Sequence, residues 1–160
     1  MHEDGGTTPV TEAAAAMVAH NSQIETEAVD ILPSQFNDIS DDMVLYEDKC
    51  CRITKAGILL KTYYFPFGGE KMVPMANILQ VTVHAKFWMS ATWGLSDTHT
   101  WWCRDFSRKQ GGACVVVRTA ARLMKGFSPN AGDRNTTKQV GDLLSKIITG
   151  GPGMVKTLGY

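Results

Sequence analysis

ILQVTVHA, residues 78–85, sets Leu79, Val81 and Val83 at alternate positions with Gln80, Thr82 and His84 between them. Successive side chains of a strand point to opposite faces, so this alternation predicts a strand with one apolar and one polar face. Near the other end of the chain the period changes. Val140, Leu143, Leu144, Ile147 and Ile148 fall at i, i+3, i+4, i+7 and i+8, the apolar stripe of an amphipathic helix over about 136–148. Lys138, Asp142 and Lys146 occupy its opposite face, Asn135 or Thr136 can cap its start, and Gly150-Gly151-Pro152 ends it. Gly141 lies inside this helix at a propensity cost of roughly 1 kcal/mol relative to Ala. Such a helix persists only if its stripe is buried against other elements.

Upstream of residue 78, KMVP reads as a short edge strand closed by Pro74, PFGGE as a turn, ILLKTYYF as an aromatic-rich strand and KAG as a tight turn. MVLYEDKCCRIT reads as one strand with polar interruptions. Downstream come WGLSDTHTWWCRDFSRK (93–109), a loop with Gly111 and Gly112, then ACVVVRT and RLMKGF as two more strands. About seven antiparallel strands followed by one helix predict a mainly β fold: a strongly bent sheet with the helix plugging its open end.

Charge is divided along the chain. Residues 1–48 contain eleven acids and no Lys or Arg, so the remaining residues carry all sixteen basic side chains against five acids. Residues 1–42 lack sustained periodicity and predict a disordered acidic tail, which a basic domain over 43–149 and a flexible segment over 150–160 follow. An acidic tail tethered to a basic surface would compete with external anions, or it would simply solubilise the domain. The N-terminus has no basic n-region and no long apolar run, and no stretch approaches the ~18 apolar residues of a membrane span. A cytoplasmic location, with peripheral membrane attachment as an option, is the expectation. In that setting Cys50, Cys51, Cys103 and Cys114 are expected as free thiols.

Two segments resemble a known family. ITKAGILLKTYYFPFGGEKMVPMANILQVTV (53–83) is similar to the opening strands of a pleckstrin-homology-like or GRAM-like domain, and VVVRTAARLMKGFSPNAGDRNTTKQVGDLL (115–144) to its closing Gly-Phe-Ser-Pro turn and helix. The middle, WG followed by WW-C-R-D-F-S-R, resembles a group of eukaryotic PH-like proteins without an established function. The resemblance covers about residues 43–149. It implies a bent antiparallel barrel capped by the helix, and a non-enzymatic module that recognises anionic lipid or a protein segment. PH-like folds serve several ligand classes, so the ligand must be argued from the site. Phosphoinositide-binding members gather basic residues in a long first loop. Here that loop is only Lys55-Ala56-Gly57, with Lys49, Arg52 and Lys61 nearby and Tyr63 where the family places a further basic residue.

The second candidate ligand surface is the tryptophan-rich stretch. In a strand, adjacent Trp101 and Trp102 face opposite ways, which predicts one in the core and the other at least partly exposed beside Arg104, Arg108 and Lys109. Eleven excess positive charges with interleaved aromatics make nucleic-acid binding the alternative. Catalysis has little support. His84 reads as a strand residue, and His99 with Asp97 is the start of a triad only if a nucleophile such as Cys103 or Ser107 converges on it. No metal or cofactor is expected, because there is no C-x-x-C, adjacent Cys50 and Cys51 should point apart, and no phosphate-loop motif occurs.

Overall fold

A computed structural model describes residues 40–88, 93–96 and 98–148, together with the backbone of the strand 154–158. The acidic tail lies outside these residues up to position 39. Its last part is already attached: Ala56 N donates to the Asp41 carbonyl at 3.2 Å, and Lys55 Nζ lies 3.9 Å from the Asp41 carboxylate.

The described residues form ten strands in two sheets, plus one α-helix. The first sheet runs β1 (Tyr46–Glu47), β2 (Cys51–Ile53), β3 (Gly57–Leu60) and β4 (Lys71–Pro74), all antiparallel neighbours. What reads in sequence as one interrupted strand over 43–54 is thus a hairpin. Asp48 makes the turn, its Oδ1 accepting from the backbone N–H of both Cys50 and Cys51 at 2.8 Å. A side-chain acceptor at this position offers the backbone a turn in place of a ladder.

The second sheet contains β5 (Ile78–His84), β6 (Gly94–Leu95), β7 (Thr100–Trp102), β8 (Cys114–Thr119), β9 (Met124–Phe127) and β10 (Met154–Leu158), in the order β10-β5-β8-β9-β7-β6. Two pairings, β7 with β9 and β10 with β5, are parallel, contrary to the all-antiparallel expectation. The strand β10 also stands where a flexible C-terminal segment is expected, and pairs with the outer edge of β5. In β5 the register shifts between Ile78 and Gln80, and this irregularity turns Leu79 outward while Ile78, Val81 and Val83 are buried. The simple alternation therefore misplaces one residue, because a bulge breaks the two-residue period.

Among the described residues the two sheets do not close into a barrel. Pro74, with no N–H to donate, ends β4 and leads through a 3-10 turn (Met75–Asn77) straight into β5 of the other sheet. Between the sheets lies a shared core that includes Tyr46, Ile53, Ile58 and Leu60 of the first sheet and Val81, Val115, Val117 and Phe127 of the second. Helix α1 (Arg134–Ile148) closes it with Val140, Leu143, Leu144 and Ile148. Its N-cap is Asp133, whose Oδ2 accepts from Thr136 N at 2.8 Å and from its hydroxyl at 2.9 Å, rather than the expected Asn135 or Thr136. Gly141 is the point of closest approach. A Cβ there would lie 2.3 Å from Val83 Cγ2, so the helix accepts a propensity cost in order to lie directly on β5.

Candidate functional site

The loop between β3 and β4 folds on itself. Tyr63 N and Tyr64 N both donate to the Gly69 carbonyl, at 2.7 and 3.2 Å, and Gly68, with a φ of 75°, donates to Tyr64 O at 2.6 Å. With its backbone groups satisfied inward, the loop sends Phe65 and Phe67 outward, and Phe67 is 95% exposed. The tryptophans hold it in place. Trp101 Nε1 and Trp93 Nε1 donate to the same carbonyl, that of Tyr63, at 2.8 and 3.3 Å. Arg104 N donates to Thr62 O at 3.1 Å, which ties this loop to the one leaving β7.

Around that junction the aromatic rings and cations are continuous. The Phe65 ring meets Trp93 edge-on at 4.9 Å, and the Arg104 guanidinium lies 5.4 Å from the Trp93 ring and 5.9 Å from Phe106. Phe106 is 73% exposed. On the other flank Lys71 Nζ stands 5.9 Å from the exposed Tyr64 ring. Three outward phenylalanines and Arg104 therefore project from two loops that are hydrogen-bonded to each other, with Lys71 alongside at the start of β4.

The structure separates the residues singled out in sequence. Trp102 is completely buried, in a second small core on the outer face of the six-stranded sheet with Cys114 and Val116, and its Nε1 donates to Ser96 Oγ at 2.6 Å. Trp101 is half-buried against the main core. The pair does point to opposite faces, with Trp102 in the core and Trp101 partly exposed, but the Trp101 ring packs on the main core and donates to Tyr63 O instead of standing free beside the cations. Arg108 is buried as well. Its guanidinium packs on the Trp102 ring at 4.8 Å and donates to Ser128 Oγ at 2.9 Å and Cys103 O at 3.1 Å, which makes it a structural residue rather than a surface cation. Arg104 is the member of the group that reaches the surface cluster. Lys109 is exposed and borders a separate groove with Gly111, Gly112 and Arg134.

The basic residues near the first turn are also partly committed. Glu47 accepts two hydrogen bonds from Arg52, both at 2.9 Å, and one from Lys61 at 2.6 Å. Of Lys49, Arg52, Lys55 and Lys61, Lys49 is the one that lines an open cavity of about 640 Å³, which Arg104 and the first turn of α1 also line. Because Arg52 and Lys61 donate to it, Glu47 has its pKa lowered from 4.5 to about 2. A carboxylate depressed in the folded state stabilises the fold above its ordinary pKa, and that contribution disappears as pH falls from about 4.5 towards 2. Glu47→Gln should accordingly melt below wild type at pH 7, with the two melting curves converging near pH 2; coincident curves at pH 7 would show that the ion pairs contribute nothing.

The exposed phenylalanines escaped sequence reading because Phe65 reads as the end of the strand ILLKTYYF and Phe67 as part of the turn PFGGE, whereas β3 ends at Leu60. The available signal was the density of aromatics in TYYFPF, more than a turn requires. Of the groups considered for catalysis, His84 packs against Phe87 at 4.7 Å with its pKa lowered by burial, and the Cys103 thiol is buried and pushed well up. Asp97 lies outside the described residues. Adjacent Cys50 and Cys51 do not point apart: Cys50 belongs to the Asp48 turn and only Cys51 to the strand, so strand alternation does not govern the pair, and both thiols lie near the Asp48 carboxylate. No helix among the described residues is long and apolar enough to cross a membrane. Comparison with family models, with curated proteins and with solved structures finds no match, so the functional reading rests on side-chain geometry alone.

Proposed function

We propose that this chain is a non-enzymatic, PH-like module that docks on anionic membranes by seating Phe65, Phe67 and Phe106 in the bilayer interface, with Arg104 and Lys71 against lipid phosphates. The carrying observation is Phe67, almost fully exposed on a loop whose backbone is tied down beneath it. Exposed aromatics that cluster on rigid loops mark an interaction surface. Transferring a Phe side chain out of water is worth roughly 1.5–3 kcal/mol when burial is complete, and each nearby cation adds on the order of 1 kcal/mol at an anionic surface. Partial insertion of three rings beside two cations therefore supports reversible attachment.

A protein segment or a nucleic acid is less well served by this arrangement. Arg52 and Lys61 are engaged by Glu47 and Arg108 is buried, so the basic stripe that a polyanion would track is interrupted. Cosedimentation with neutral phosphatidylcholine vesicles and with vesicles containing phosphatidylserine tests the proposal. Wild type should pellet with the anionic vesicles. Phe67→Ser combined with Phe106→Ser should weaken partitioning by roughly tenfold or more, about 1.4 kcal/mol, with an unchanged melting temperature. Undiminished binding by the double variant, or binding to RNA but not to vesicles, would overturn the reading.

A further inference from the structure

We propose that residues 24–36 of this chain, IETEAVDILPSQF, dock on its own phenylalanine surface and thereby attenuate membrane attachment, a regulatory role that rests on the membrane reading above. The segment combines three acids, Glu25, Glu27 and Asp30, with the apolar side chains of Ile24, Val29, Ile31, Leu32 and Phe36, and it contains no Lys or Arg. The surface offers the complement: exposed Phe65, Phe67 and Phe106 beside Arg104 and Lys71. Among the described residues neither Arg104 nor Lys71 is in an ion pair, whereas Arg52 and Lys61 hold Glu47, Lys55 lies by Asp41 and Lys138 holds Asp142. The acids of the two loops are Glu70, next to Lys71, and Asp105, whose Oδ1 accepts from the backbone and hydroxyl of Ser107. Residues 103–113 nevertheless keep Arg104, Arg108 and Lys109 against that one acid.

The point at which the chain enters the fold sets the reach. Asp41 is held at the turn between β2 and β3, where its carbonyl accepts from Ala56 N and its carboxylate lies by Lys55. The phenylalanine loop starts at the far end of β3, and the four residues of that strand span roughly 13 Å. Leu32 stands nine residues before Asp41, up to about 30 Å of extended chain, and Phe36 five residues before it, up to about 16 Å. The apolar part of the segment therefore reaches the loop without strain. Its acids then fall beside cations that lack an acidic partner. A tether of this length supplies an effective concentration in the millimolar range, so a contact with a dissociation constant of about 0.1 mM would be formed about nine-tenths of the time and would weaken membrane attachment roughly tenfold.

Two measurements on the full-length chain test this. In the first, the photo-crosslinking residue p-benzoylphenylalanine replaces the exposed Phe67, and the monomeric product is mapped by mass spectrometry. Crosslinks should fall within residues 24–36 and disappear when Val29→Ser, Ile31→Ser and Leu32→Ser are combined. The second is cosedimentation with phosphatidylserine vesicles at low ionic strength. That aliphatic variant, and a second combining Glu25→Gln, Glu27→Gln and Asp30→Asn, should each bind up to roughly tenfold more tightly than wild type. A control with Glu3→Gln, Asp4→Asn and Glu12→Gln removes the same charge outside the segment and should stay close to wild type. Crosslinks confined to other residues, or segment variants that bind vesicles no better than the control, would overturn the inference. Crosslinks to the segment with no vesicle binding by any variant would uphold the docked segment and overturn the membrane reading instead.

Discussion

Trp102→Ala should cost about 3–5 kcal/mol of unfolding free energy, while Phe67→Ala should leave stability near wild type. The Trp102 ring is fully buried between Phe87, at 5.5 Å, and the Arg108 guanidinium. It also lies on Gly126, where a Cβ would come within 2.5 Å of a ring carbon. Truncation therefore opens a cavity that the neighbouring strand cannot fill, and it strips Arg108 of the ring against which it is packed. Trp101→Ala should cost less, because its ring is only half-buried, but it removes the hydrogen bond to Tyr63 O that anchors the phenylalanine loop. It should therefore weaken vesicle binding more than it weakens the fold. Urea denaturation followed by far-ultraviolet circular dichroism measures both. A Trp102→Ala protein as stable as Phe67→Ala would mean that the outer core contributes nothing.

Leu144→Asp should leave the protein unfolded at room temperature. Leu144 is fully buried in the hydrophobic core that α1 closes, so a carboxylate there would be placed in apolar surroundings. An unpaired buried charge costs several kcal/mol, comparable with the whole stability of a domain this size. Lys146→Asp two positions on, at an exposed site, should stay within about 1 kcal/mol of wild type despite placing an acid in the last helical turn. Equal melting temperatures for the two variants would refute the packing of α1 described above.

The elements themselves were largely legible. The 3.6-residue stripe from Val140 to Ile148 marks the helix, and the runs around Ile58, Val81 and Val116 mark strands, because burial of a regular element repeats along the chain with that element's own period. Less could be read where a single residue overrides the period. Asp48 turns an apparent strand into a hairpin and the bulge beside Ile78 exposes Leu79, and both depend on hydrogen bonds that composition does not display.

By itself the sequence determined a mainly β chain with one closing helix, a tryptophan pair pointing to opposite faces, and a sharp division of charge. Those are local properties, set by alternation and by which residues stand next to one another. Only the tertiary structure decided that the strands form two sheets rather than a closed barrel, and that Trp102 is the fully buried ring and Trp101 the partly exposed one. It also decided that Arg108 is spent inside while Arg104 meets Trp93 and Phe106 outside. Each of these depends on contacts between residues distant in the chain, where the partner that covers a face or binds a charge is chosen by packing and carries no periodic signature.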